Sequence, residues 1–134
     1  MRKASNGVKK ILIIEDDSAI VDIYKIIFKK ASFEAEFMSS GQEAMDRIKA
    51  FVEDESQVKP DVVLLDLILP DMNGIEVLKA IRNTSATKDI IVFILTNQEK
   101  TQLTELSEAR PDKIIIKANT SPTQLLEIIE KQLQ

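Results

Sequence analysis

The sequence has no cysteine. That excludes a disulfide framework and a thiol nucleophile. It has no histidine either, which removes the commonest general base and the usual transition-metal ligand. Any metal held here would have to be bound through oxygen. Only three glycines occur, and no strand is followed by a GxGxxG turn, so a dinucleotide enzyme is disfavoured. No apolar run approaches the roughly 20 residues of a membrane span. The start, MRKASNGVKK, is basic but lacks an apolar segment before the first acids. It reads as a solvated lead-in over residues 1–9, not a signal peptide. These absences lead to the expectation of a soluble, cytoplasmic protein without membrane association.

What is present fits one domain over residues 10–134. The apolar fraction is 44% and the charged fraction 30% of 134 residues, ordinary for a globular chain with a real core. The net charge of −4 argues against a nucleic-acid surface, and no direct DNA binding is expected.

The stretch DVVLLDLILPDMNG, from Asp61 to Gly74, organises the rest. Val62 to Leu65 form an apolar run bounded by turn residues, as in a strand buried on both faces. Asp66 then stands at its carboxyl end. Lys10 to Ile14 predicts a first strand, ending at Glu15, Asp16 and Asp17. Ser18 is a candidate cap for a helix to about Lys30, with Ile20, Ile23, Tyr24, Ile27 and Phe28 on its buried side. Phe33 to Met38 alternates as an edge strand does. Ser40 and Glu43 have capping-box spacing before a helix to about Phe51. Asn73 is placed to cap a third helix carrying Ile75, Val77, Leu78 and Ile81.

Ile90 to Leu95 is another buried strand, ending at Thr96. Gln98 to Ala109 predicts a polar, lightly packed helix whose only apolar stripe is Leu103, Leu106 and Ala109. Ile114 to Ile116 is the last strand, ending at Lys117. Ser121, Pro122 and Gln124 open a final helix, with Leu125, Ile128, Ile129 and Leu133 inward. No effector domain is expected beyond it. Strand then helix, five times, argues an α/β doubly wound parallel sheet of the flavodoxin-like (βα)5 type, order 2-1-3-4-5.

A lone Asp after a strand is most often a cap or turn residue. A strand-end Thr is usually just a Thr, and a lone Lys a solvated charge. The joint pattern says more, because parallel strands bring Glu15, Asp16, Asp66, Thr96 and Lys117 to one edge. Three crowded carboxylates repel, and a hard divalent cation relieves them. With few protein ligands, Mg²⁺ suits better than Ca²⁺. Carboxylates, a hydroxyl and an ammonium around a metal make a phosphoryl site. Asp66 is its candidate nucleophile.

These residues resemble the receiver domains of two-component response regulators, specifically stand-alone CheY-like receivers. The likeness runs from ILIIEDD to the last helix, and LLDLILPDMNG is its most specific segment. The resemblance implies a phosphoacceptor at Asp66, assisted by Thr96 and Lys117. It implies Mg²⁺ held by Glu15, Asp16, Asp66 and the backbone carbonyl of Ile68. It implies a sensor histidine kinase or histidine phosphotransfer protein as donor and a downstream protein as target. A dimer formed on phosphorylation is among the associations it allows. Such a chain is a signalling domain that assists its own phosphorylation and dephosphorylation, not an enzyme with a turnover substrate.

Three positions depart from the family pattern. Lys117 is followed by Ala118, where proline in a cis peptide is usual. Thr96 is followed by Asn97, where a small residue is usual. Ile114 replaces the aromatic switch residue that works with Thr96. Ile114 lacks a polar tip, is stiff at χ1 and is expected to stay buried. Water attacking an acyl phosphate would be oriented from Ile68 and Gln98. An apolar Ile68 predicts slow decay. The alternative function is a pseudo-receiver, a binding module signalling without phosphate. A haloacid dehalogenase-type phosphatase would need a second Asp where Ile68 stands.

Overall fold

The computed structural model describes residues 7–97 and 103–134. The elements are β1 (Lys10–Ile14), α1 (Ser18–Lys30), β2 (Glu34–Met38), α2 (Gly41–Glu53), β3 (Val62–Asp66) and α3 (Gly74–Asn83). They continue as β4 (Ile91–Thr96), α4 (Leu103–Glu108), β5 (Lys113–Ile116), a 3-10 turn (Lys117–Asn119) and α5 (Pro122–Gln132). The strands form one five-stranded sheet in the order β2-β1-β3-β4-β5, with every pairing parallel. This is the flavodoxin-like winding expected from five strand–helix repeats.

Side-chain alternation along each strand divides the core in two. Leu12, Ile14, Val63, Leu65, Val92 and Ile94 face α2 and α3, meeting Ile48, Val77, Leu78 and Ile81. Ile11, Ile13, Val62, Leu64, Phe93 and Leu95 face α1 and α5, meeting Tyr24, Phe28, Leu125 and Ile129. All five β3 residues are buried, as an unbroken apolar central strand demands. Each such Leu or Ile contributes about 1.5–3 kcal/mol by leaving water.

Several local expectations change. Asp17, not Ser18, caps α1: its Oδ1 accepts from the Ala19 and Ile20 N–H groups at 2.9 and 3.3 Å. Two cap-forming residues stand in succession, and an Asp reaches the first-turn donors as readily as a Ser. Ile23 is exposed at 45%, because the sheet covers only the narrower Tyr24–Phe28 stripe. The Ser40 hydroxyl accepts from Glu43 N–H, and the Glu43 carboxylate takes its short backbone bond, at 2.7 Å, from the Ser39 N–H one residue before the cap. α2 also runs two residues past Phe51, to Glu53. The Ser121–Gln124 box is fully formed. Ile114 is half-buried rather than buried, since β5 is the sheet's edge. The helix expected from Gln98 is described only as Leu103–Glu108. Its start and Gln98 lie outside the described residues. Leu106 and Ala109 are buried in the core, so the end of α4 is well packed. Among the described residues, no helix is long and apolar enough to cross a membrane.

Two contacts fix the loop after β3. A Cβ on Gly74 would lie 2.3 Å from the Asp66 carbonyl oxygen, so only glycine lets α3 start against the end of β3. The Gly74 N–H donates to the Leu67 carbonyl at 2.7 Å. The Asp71 carboxylate crosses to α2 and accepts from Gly41 and Gln42 N–H, both at 2.8 Å. Those bonds hold its carboxyl below the usual carboxylate range. Gly74→Ala should therefore destabilise the protein by about 3 kcal/mol, through backbone displacement. Urea unfolding of both proteins measures it; a loss near that of an ordinary helical substitution would contradict the close approach.

Candidate functional site

Strand register builds the site. Ile14 pairs with Leu65, Asp66 with Leu95 and Thr96 with Ile116. Glu15, Asp66, Thr96 and Lys117 thus follow one another in steps along the carboxyl edge of β1, β3, β4 and β5. Asp16 follows Glu15 in the loop leading to α1. These five residues line a single open cavity of about 350 Å³, together with Ile68 and Asn97.

Lys117 holds the cluster. Its Nζ lies 2.6 Å from Glu15 Oε1 and 2.9 Å from Asp66 Oδ2. One ammonium therefore ties the ends of β1 and β3 to β5. Burial works against that charge, but the hydrogen bonds to Glu15 and Asp66 outweigh it, and the ammonium stays above its ordinary pKa. Glu15 is 1% exposed. Burial first, and then the neighbouring Asp66, push its carboxyl up to about 7, against the pull of Lys117. Lys117 keeps its charge because two carboxylates share it, so the instability falls on Glu15.

Asp66 Oδ1 accepts from the Ile68 N–H at 3.1 Å, which turns the chain just after β3. Asp16 is exposed. Ligand oxygens of Glu15, Asp16 and Asp66 can lie within 4.8 Å of one another. Three oxygen acids with one shared ammonium suit a small hard cation better than a soft one. Thr96 is buried at 2% exposure beside them. Ile68 is exposed at 57% and forms an isolated bridge to Asn73.

The chain and its fold have known relatives. A family model described as the response regulator receiver domain matches residues 11–130. The chain belongs to the receiver domain family. It is 30% identical over 124 residues to the chemotaxis protein CheY of Thermotoga maritima, covering 92% of this chain and 96% of that one. Among solved structures, a CheY-like receiver domain protein from Methanospirillum hungatei superposes with a TM-score of 0.79 at 28% identity, over 95% of this chain and 94% of that chain. The phosphorylated cyanobacterial phytochrome response regulator RcpA gives 0.78 at 26%, over 93% and 91%. DNA-binding response regulators also match at 28% identity over 89 residues, and those matches span 36% of their length.

Two contacts of this receiver domain were not visible in its sequence. One is the Asp71 cap on α2. The other joins two departures from the family pattern: Asn97 Oδ1 accepts from the Ala118 N–H at 3.0 Å. All described peptide bonds are trans, including the one before Ala118.

The Glu15 shift sets a pH dependence. A carboxyl raised from 4.5 to about 7 takes up a proton on folding, so its stabilisation is complete below the lower value. It is lost as pH rises through the upper one. Without divalent metal, the melting temperature should fall by roughly 3–6 °C between pH 5 and 8, and Glu15→Gln should remove most of that fall. An equal fall in the Gln variant would assign it elsewhere.

Proposed function

We propose that this receiver domain accepts a phosphoryl group on Asp66 from a phosphohistidine donor and thereby switches its binding to a downstream protein. The donor is a sensor histidine kinase or a histidine phosphotransfer protein, in keeping with a chain that has no histidine of its own. The carrying observation is the single cavity where Asp66, Thr96 and Lys117 meet Glu15 and Asp16. The phosphorylated relative RcpA, 26% identical, supports the reading.

In the proposed step, an Asp66 carboxylate oxygen attacks phosphorus as the phosphorus–nitrogen bond of the donor breaks. The imidazole leaves with the bonding pair and takes up a proton. Lys117, already 2.9 Å from Asp66, moves its charge onto the incoming phosphoryl oxygens. The Thr96 hydroxyl donates to another of them. Glu15, Asp16, Asp66 and the Ile68 carbonyl would hold Mg²⁺. When bound, the ion supplies positive charge that neutralises the acids and the transferring group. Deep burial of Glu15 suits it to act mainly by fixing Lys117, leaving exposed Asp16 as the readier contact. The same chemistry run with water in place of histidine returns the free acid. We read the domain as a signalling module without a turnover substrate.

Incubation with acetyl phosphate should add one phosphoryl mass to the protein in Mg²⁺ and none in EDTA. Asp66→Asn should abolish it. Modification of the Asn variant, or equal modification in EDTA, would overturn the assignment of Asp66 and the metal, and a wild type that takes up no phosphoryl group would favour a pseudo-receiver. Decay should be slow, because exposed Ile68 offers the attacking water no hydrogen bond. Ile68→Asn should speed it by a factor of about ten to a hundred. An unchanged or slower half-life at fixed Mg²⁺ would remove Ile68 from that role.

A further inference from the structure

We infer that Asn97 is a positioning residue for Lys117, acting through the peptide that follows it. The inference rests on the proposed phosphoryl reading for its kinetic arm alone. Asn97 leaves β4 directly after Thr96, and Ala118 directly follows Lys117. The two loops are joined by Asn97 Oδ1, which accepts the Ala118 N–H at 3.0 Å. Ala118 lies within the 3-10 turn from Lys117 to Asn119, whose own closing bond runs from Thr120 N–H to the Lys117 carbonyl. That turn has no side-chain cap of its own. The Ala118 N–H at its start is a donor that a helical turn leaves unsatisfied. Asn97 supplies the missing acceptor from the neighbouring strand.

The consequence lies at the other end of Lys117. Its side chain reaches back from this turn to span Glu15 and Asp66 at 2.6 and 2.9 Å. A long, flexible side chain holds two carboxylates only if its backbone is fixed. A residue of Asn length is required to cross from β4 to that turn. The same Asn lines the cavity mouth beside Asp66, so it has two conceivable roles with opposite signs. As a positioning residue, its loss loosens Lys117 and slows phosphoryl uptake. As mere bulk at the mouth, its loss opens the cavity and speeds uptake.

Loosening Lys117 also leaves Glu15 and Asp66 less neutralised. A divalent cation then competes against a weaker ammonium. Mg²⁺ should bind more tightly in the variant, an effect that general loosening of the fold does not produce.

The experiment combines Asn97→Ala and Lys117→Gln, singly and together. The first readout is Mg²⁺ affinity by NMR titration, with the Ala118 amide proton followed in the same spectra. The second is the rate of acetyl phosphate labelling in saturating Mg²⁺. Loss of one exposed hydrogen bond corresponds to a factor of about three to ten. We expect Asn97→Ala to shift the Ala118 amide, tighten Mg²⁺ and slow labelling by that factor. We expect it to change Mg²⁺ affinity no further once Lys117 is Gln. Faster labelling, an unmoved Ala118 amide, or the same Mg²⁺ effect without Lys117 would each overturn the inference. If wild type accepts no phosphoryl group, the proposed function fails, while the Mg²⁺ cycle still decides the role of Asn97.

Discussion

The ammonium of Lys117 is the constraint around which this edge of the molecule is arranged. It stands on the fifth strand's exit, yet its partners come from the first and third strands. A parallel sheet gathers all its carboxyl ends on one side, and here that side gathers more negative charge than water alone would comfortably screen. One cation between two buried or near-buried acids offsets part of the cost. It does so in competition with any metal ion or phosphoryl oxygen that arrives. The cluster is thus preformed, held by a single side-chain cation.

Around that constraint, the loops are tied to neighbours rather than to themselves. The loop after β3 is anchored on α2 through Asp71. The exit of β4 is anchored on the turn after β5 through Asn97. Arg82 does similar work at the opposite edge. Its guanidinium meets the carbonyls of Lys88, Ile90 and Arg110 and the Asp112 carboxylate. Arg110 sits in the left-handed backbone region at φ 62, so the chain leaving α4 is held in an otherwise unfavourable bend. Movement of α4 would then pivot about this pinned end.

The parts legible in the sequence were those governed by local periodicity. Four unbroken apolar runs gave strands, and the residue ending each run announced the edge it would reach. Capping went less cleanly, because Asp17 and Ser18 both qualify and only the path of the chain selects between them. Burial of Ile23 and Ile114 was overstated, since periodicity names a face but not the width of what covers it. The contacts that hold the site together were not legible. Asp71 reaches 30 residues back, Asn97 reaches 21 forward and Lys117 crosses 102 to Glu15. Nothing in the neighbourhood of each residue signals its partner. The odd residues at positions 97 and 118 were visible as departures, but their complementarity emerges only when the strands are laid side by side.

The Asp71 cap changes what an isotope label on α2 would report. First-turn amides of a helix have no partner within it and ordinarily exchange with solvent as freely as a loop. Those of Gly41 and Gln42 are instead sealed by a carboxylate from another segment. Their protection is a clock on the loop after β3, not on α2. Slow exchange there would certify that the loop carrying Ile68 is seated. Fast exchange, with the remainder of α2 still protected, would register its release before any strand had moved.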